Sequence, residues 1–274
     1  MSARVAGVDL AAEAAGTAVA VLRIDRGALD PGAGGGSGGA TVVLESLRLG
    51  VDDAALLAAT RDARLIGIDC ALGWPVDFVD FVGRQASGER LADSDTGDLA
   101  WRRRLAFRET DRVVTERTGA RPLSVATDRL GMTALRCAVL LDRLAGDGRV
   151  VDRSGEHPSV VVEVYPAMAL RVWGLAARGY KAAGGAAASA AMDARTALID
   201  DVSRAAPWLQ LGEHRRTLMR ESADALDAVL AALVALAHGA GASIPPEPQQ
   251  RKRARVEGWI AIPTVGLAQL GAIL

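Results

Sequence analysis

The chain has 274 residues, half of them hydrophobic and 24% charged, and its formal net charge is −1. This balance excludes an intrinsically disordered chain, and the near-neutral charge excludes a general attraction for nucleic acid, so any polyanion must be met by local basic clusters. The chain has two cysteines, and it shows neither a run of 18 apolar residues nor a signal-peptide pattern. We therefore expect a cytoplasmic protein without a membrane segment.

The first 70 residues predict four strands and one helix. The strands are short and rich in Val, Ala, Leu and Ile, and we place them at 4–9, 17–24, 41–49 and 64–69. A helix is predicted over 52–62, with acidic residues in its first turn. Between the second and third strands, the Gly-rich segment 27–40 predicts a flexible loop, since no Lys-Ser/Thr pair follows it as in a phosphate-binding loop.

Helices dominate the rest of the chain. They are predicted at 98–118, 129–146, 166–177, 191–205 and 221–238, with 76–150 forming a helical insertion. A fifth strand is predicted over 159–165, where Pro166 ends an apolar run.

The order of these elements predicts an α/β fold in a single domain over 1–274. Strands joined by short connections predict an antiparallel meander, and strands separated by helices predict parallel crossovers. Three antiparallel strands, then parallel strands with flanking helices and a helical insertion, match the ribonuclease-H-like fold.

Acidic residues stand at three apolar segments of the predicted fold. Asp9 and Asp69 close two strands, at the sheet edge where ligands gather, and Asp224 and Asp227 share one face of a helix. Each can be an ordinary turn or helix N-terminus residue. Together they indicate a cation site, because ionised carboxylates in apolar segments are costly unless a positive charge meets them. Oxygen ligands of this kind suit Mg²⁺ or Mn²⁺.

Seven short motifs then appear in an order that resembles one family. They are Gly7–Ala11, Ile66–Pro75, Arg108–Asp111, Val162–Pro166, Tyr180–Lys181, Asp224–Ala228 and Glu257–Ile260. Together they resemble the domain of unknown function 429 family, predicted nucleases of the ribonuclease-H-like superfamily, over nearly the whole chain.

The resemblance implies a ribonuclease-H-like fold and a nuclease site. By similarity to junction resolvases, it implies that Asp9 is the central ligand of the first strand and that Asp224 and Asp227 are the closing helix pair. It places Asp69 where those enzymes typically carry Glu.

Further site residues are predicted with open alternatives. Glu163, in an apolar strand, is either an additional metal ligand or the partner of an arginine. Arg104, Arg108 and Arg112 recur at four-residue spacing, so a continuous helix would align them in a basic stripe for substrate phosphates. The alternative is a solvated face balanced by neighbouring acids. Lys181 is a further candidate phosphate contact.

These features together predict a metal-dependent nuclease that hydrolyses DNA or RNA phosphodiester bonds by a two-metal-type mechanism. One alternative is a catalytically idle scaffold that binds nucleic acid or protein. Another is a kinase-like phosphotransferase, which the chain supports less well because it lacks a second nucleotide-clamping domain. The apolar helices near the C-terminus are predicted to pack internally or across a homodimer.

Overall fold

The computed structural model of the chain describes residues 2–25, 40–91, 98–126, 128–156, 158–182 and 185–274, without the side chains at 128, 129, 185 and 186. Apart from Ala40, the predicted loop at 27–40 lies outside the described residues. The chain divides into two compact units. The first contains Met1–Asp69, Val164–Ile244 and Ala261–Leu274, and the second contains Cys70–Glu163 and Pro245–Ile260.

The described strands and α-helices are numbered here in chain order. The strands are β1 (Ala3–Asp9), β2 (Ala18–Asp25), β3 (Thr41–Leu49), β4 (Leu65–Asp69), β5 (Val161–Glu163) and β6 (Leu209–Gln210). The first six helices are α1 (Asp53–Thr60), α2 (Val76–Ala86), α3 (Leu99–Ala106), α4 (Glu109–Thr118), α5 (Asp128–Gly146) and α6 (Pro166–Val172). The others are α7 (Gly185–Ala205), α8 (Glu213–Glu221), α9 (Ala223–Gly239), α10 (Arg251–Glu257) and α11 (Leu267–Ile273).

The strands of the first unit form a mixed sheet in the order β4-β1-β2-β3-β6. Strands β1, β2 and β3 form an antiparallel meander, while β4 pairs with β1 and β6 pairs with β3 in parallel. The predicted α/β class, with antiparallel strands followed by parallel strands and flanking helices, is therefore confirmed. The arrangement is consistent with a ribonuclease-H-like fold.

Helix α9 lies against the sheet at two neighbouring glycines. Gly7 of β1 and Gly67 of β4 are register partners. A Cβ atom added at Gly7 would collide with the backbone of Ala228 and Ala232, and one added at Gly67 would lie 2.6 Å from the carbonyl oxygen of Ala231. Glycines on the strands and alanines on the helix thus let the backbone of α9 approach the backbone of β1 and β4 closely.

Helix α9 is the most deeply buried helix of the first unit, since every residue from 225 to 238 is buried. Ser222 caps its first turn by accepting a hydrogen bond from the Ala225 N–H. Across the described ranges, no single helix has both the length and the apolar content to cross a membrane. Only α8 and α9 taken together, bent by 118°, reach that length and composition.

In the second unit, the predicted helix over 98–118 is wrong as a continuous element. The chain forms two helices, α3 and α4, because Phe107 and Arg108 are extended, with ψ angles of 134° and 165°. Arg108 is the N-cap residue of α4, so Arg104 and Arg112 lie on different helices. The predicted basic stripe of Arg104, Arg108 and Arg112 therefore does not form.

Other differences from the predicted elements concern short segments. The predicted strand over 159–165 reduces to Val161–Glu163, since the chain enters α6 at Pro166. Helices α8, α10 and α11 and strand β6 were not predicted. Helix α10 coincides with a run of basic residues in which only Ala254 and Glu257 are buried, so it lacks a clear apolar period.

Candidate metal centre

Three aspartates of the first unit converge at the ends of β1 and β4. Asp9 and Asp69 are register partners on the two parallel strands, and Asp227 lies in the second turn of α9. Each of the three offers a carboxylate oxygen, and these atoms all lie within 4.8 Å of one another. We call these three residues the aspartate triad. The close fit of α9 at Gly7 and Gly67 is what brings Asp227 to the strand ends.

The aspartate triad carries a high electrostatic cost without a cation. Burial, together with the charges of Asp69 and Asp227, raises the pKa of Asp9 to about 9. Burial also raises the pKa of Asp227, which is only 1% exposed. Carboxylates so placed take up either a proton or a cation. Because all the donors are oxygen atoms, the donor set fits a hard divalent cation.

Two neighbouring side chains already contact Asp227. The Tyr180 hydroxyl donates to Asp227 Oδ1 at 2.9 Å, and the Lys181 ammonium forms an ion pair with Oδ2. Burial lowers the pKa of Lys181, but Asp227 and then Asp69 and Asp9 outweigh that effect and raise it. The ammonium is therefore held in the field of the whole aspartate triad.

A buried arginine positions the Tyr180–Lys181 segment. Arg195 of α7 is 7% exposed and donates to the carbonyl oxygen of Tyr180 at 2.6 Å and to that of Arg220 at 2.7 Å. The guanidinium thus joins the segment before α7 to the end of α8. Sequence reasoning missed this residue, because an arginine inside an Ala-rich helix has the pattern of a solvated face.

Asp224, the fourth predicted carboxylate, lies on α9 outside the aspartate triad and is half-buried. Burial raises its pKa, and the positive charges of Lys181 and Arg195 oppose that shift. Its own charge in turn raises the pKa of Asp9 and of Asp227. The structure therefore joins Asp9, Asp69 and Asp227 directly and adds Asp224 as a nearby negative charge.

Glu163 belongs to a different cluster, in the second unit. Its carboxylate accepts hydrogen bonds from Arg108 Nη1 at 2.8 Å and Nη2 at 2.7 Å, and from the Leu72 N–H at 3.0 Å. Of the two alternatives that the sequence left open, the structure therefore shows the arginine partner. Gly258 makes room for this pair, because a Cβ there would lie 2.6 Å from Glu163 Oε2.

Arg108 has no N–H group left for a substrate. It is 2% exposed, and its five N–H donors go to the carboxylates of Asp111 and Glu163 and to the Glu257 carbonyl oxygen. The predicted substrate contact at Arg108 therefore does not fit its surroundings. We call Arg108, Asp111 and Glu163 the Arg108 cluster. All three side chains are buried, and the cluster serves the packing of its own unit.

The remaining predicted arginines lie on separate helices of the second unit. Arg112 donates to Glu109 at 2.6 Å and to the Phe107 carbonyl oxygen at 2.8 Å. Arg104 is exposed. Sequence reasoning also missed the role of Glu257, whose fully buried carboxylate accepts from the backbone N–H groups of Val76 and Glu109.

Comparison with known proteins identifies the family of the chain. A family model described as "Protein of unknown function (DUF429)" matches residues 7–250, which include the aspartate triad, Lys181 and the Arg108 cluster. No curated protein and no solved structure matches the chain significantly.

Proposed function

The chain belongs to the DUF429 family, whose function is unknown, and we propose that it is a metal-dependent nuclease whose site is the aspartate triad. The observation that carries the proposal is the convergence of three carboxylates within 4.8 Å at the carboxyl ends of two parallel strands. The reaction is hydrolysis, in which water attacks phosphorus, one P–O bond breaks and the leaving oxygen takes up a proton.

The donor set supports Mg²⁺ or Mn²⁺ as the cofactor. Asp9, Asp69 and Asp227 would hold the ion through oxygen atoms alone, and both ions accept such ligands. When bound, an ion of this kind lowers the pKa of its water ligand and stabilises negative charge on a leaving oxygen. Asp224, which lies outside the triad, adds negative charge that favours cation uptake.

The chain's own side chains give the site a cationic and a hydrogen-bonding flank. Lys181 is half-exposed at its side chain, so its ammonium would be able to contact a phosphate oxygen if Asp227 held a cation in its place. Tyr180 is buried and holds the Asp227 carboxylate by a hydrogen bond, which fixes its rotamer. Arg195 keeps both residues in place through the Tyr180 carbonyl oxygen.

One observation favours a second candidate, a scaffold without catalytic activity. Both carboxylate oxygens of Asp227 already have partners in Tyr180 and Lys181, so the ammonium offsets part of the triad's charge without a metal. In that case the aspartates and Lys181 form a structural ion cluster.

A cleavage assay separates the two candidates. Wild type, Asp9→Asn and Asp227→Asn are incubated with labelled single- and double-stranded DNA and RNA in Mg²⁺ or Mn²⁺, beside a sample containing chelator. Asp193→Asn is the matched control, because Asp193 is an exposed carboxylate of α7 in the same unit. We expect cleavage by wild type and Asp193→Asn that Asp9→Asn and Asp227→Asn lose. Cleavage that survives in both triad variants contradicts the proposed site.

A further inference from the structure

The second unit contains a cavity that the aspartate triad does not use. Its volume is about 370 Å³, and residues from α2, α3 and α10 contribute to its lining. This volume lies within the range of small-molecule pockets in proteins. Since the triad lies wholly in the first unit, the cavity requires an explanation of its own.

Two aromatic rings form part of the cavity wall. Phe81 of α2 and Trp101 of α3 pack edge to face, with ring centroids 5.5 Å apart and planes at 81°. A pair of this geometry leaves at least one face of each ring outside the pair. Both residues are only half-buried, and Leu91 and Leu105 extend the apolar part of the wall. The cavity therefore offers planar apolar surface to a ligand ring.

The arginines of the cavity wall differ in whether they form hydrogen bonds and ion pairs with other residues. Arg253 donates to both oxygens of Asp77, at 3.0 and 3.3 Å. Arg84 donates to Glu89 at 3.2 Å and to the Arg90 carbonyl oxygen at 3.1 Å. By contrast, no hydrogen bond or ion pair joins the Arg104 side chain to any residue that the structure describes.

The position of Arg104 makes its guanidinium accessible to a ligand. It lies one helical turn after Trp101 on α3, so both side chains are on the same face of that helix and both line the cavity. Of the three arginines in the wall, Arg84 and Arg253 form ion pairs with acidic residues, and Arg104 forms none with any residue that the structure describes. The cavity thus combines aromatic surface with one uncommitted guanidinium.

We propose that this cavity binds a nucleotide, with the base on the Phe81–Trp101 pair and the phosphate on Arg104. Bases stack on aromatic side chains irrespective of sequence, and a guanidinium binds phosphate oxygens through two parallel hydrogen bonds. One uncommitted guanidinium suits a monophosphate or a single phosphodiester. The ligand is either a free nucleoside monophosphate or one nucleotide of a single strand, and neither source requires the aspartate triad to be catalytic.

The test is a calorimetric titration of the full chain with two probes, in a buffer that contains chelator. The probes are adenosine monophosphate and a single-stranded oligodeoxyadenylate of about ten nucleotides. Arg104→Gln is compared with Arg102→Gln, because Arg102 is an exposed neighbour on α3 that does not line the cavity. We expect Arg104→Gln to weaken binding about tenfold, the loss expected for one charge-assisted hydrogen-bonding partner, while Arg102→Gln binds like wild type.

The pattern of binding by the two probes distinguishes the two possible sources of the ligand. Binding of both probes with the Arg104 dependence identifies a mononucleotide site, and binding of the oligonucleotide alone identifies a strand-binding site. If wild type binds neither probe, or if the two arginine variants lose equal affinity, the proposal is overturned. Trp101→Leu with unchanged affinity for both probes overturns the stacking part. The titration is run in chelator, so binding at the cavity is measured without the metal-dependent nuclease proposed for the aspartate triad.

Discussion

Asp9 and Asp69 are register partners at the ends of parallel strands β1 and β4, and the glycine two residues before each is a register partner as well. Because these glycines have no side chain, α9 packs closely against the sheet. This packing places Asp227 of α9 beside the two carboxylates at the strand ends. A short sequence pattern, Gly-apolar-Asp on two strands, therefore sets both the packing of a helix and the composition of a candidate metal site.

Replacement of Gly7 by alanine should destabilise the first unit. The new methyl group would collide with the backbone of Ala228 and Ala232, which cannot move without displacing α9. We expect a loss of about 1–3 kcal/mol or more in the free energy of unfolding. Gly83→Ala is the control, since nothing lies within 4 Å of a Cβ at that helical position, and it should stabilise by about 0.5–1 kcal/mol. Denaturant titration of both variants measures the difference, and equal stabilities would contradict the packing.

The metal-free protein should lose stability as pH rises. The pKa of Asp9 is about 9 in the folded chain, whereas that of an unfolded aspartate is about 4. Between these values the folded state holds a proton that the unfolded state has lost, so the free energy of unfolding falls as pH increases. Asp9 thus contributes stability that is fully present below about pH 4 and gone above about pH 9.

Asp9→Asn removes this titration and should flatten the pH dependence of stability. The measurement is denaturant unfolding of wild type and Asp9→Asn in chelator, from about pH 5 to about pH 9. Asp193→Asn, which alters an exposed carboxylate, should keep the slope of wild type. Parallel curves for wild type and Asp9→Asn would show that Asp9 is already ionised at low pH.

Removal of the Lys181 charge should strengthen metal binding. The ammonium contacts Asp227 and lies in the field of all three triad carboxylates, so it competes with an incoming cation. For a partly exposed ion pair we expect Lys181→Gln to lower the Kd for Mn²⁺ about two- to fivefold. Lys252→Gln, which alters an exposed lysine of α10, should leave it unchanged. Calorimetry checks the change, and weaker binding by Lys181→Gln would mean that Lys181 supports the site.

Glu163→Gln should destabilise the protein strongly, because it leaves the buried guanidinium of Arg108 with one carboxylate partner fewer. Breaking a buried ion pair costs about 3–5 kcal/mol. Glu89→Gln breaks an exposed Arg–Glu pair of the same unit and should cost less than about 1 kcal/mol. Chemical unfolding compares the two variants. Similar small losses would show that the Arg108 cluster contributes little to stability.

The three residues of the aspartate triad could be predicted from the sequence, because each is marked by the residues next to it in the chain. Asp9 and Asp69 each end an apolar run, and Asp227 interrupts an apolar helix of small residues. The interruption of the helix at Phe107–Arg108 could not be predicted from neighbouring residues, since residues 98–118 contain no Gly or Pro. Its cause is tertiary, because Arg108 pairs with Glu163, which is 55 residues away in the chain. Arg195 was missed for the same reason, as its partners are carbonyl oxygens of distant segments.

The most direct test of the central claim is Mn²⁺ titration by calorimetry, with wild type beside the double variant Asp9→Asn/Asp227→Asn. The double variant retains the volume of both side chains and removes two of the three converging charges. We predict that wild type binds Mn²⁺ and releases protons on binding, because the pKa of Asp9 is raised, and that the double variant does not bind. Equal Mn²⁺ binding by the two proteins, or none by wild type with and without an oligonucleotide, would contradict a metal site at the aspartate triad.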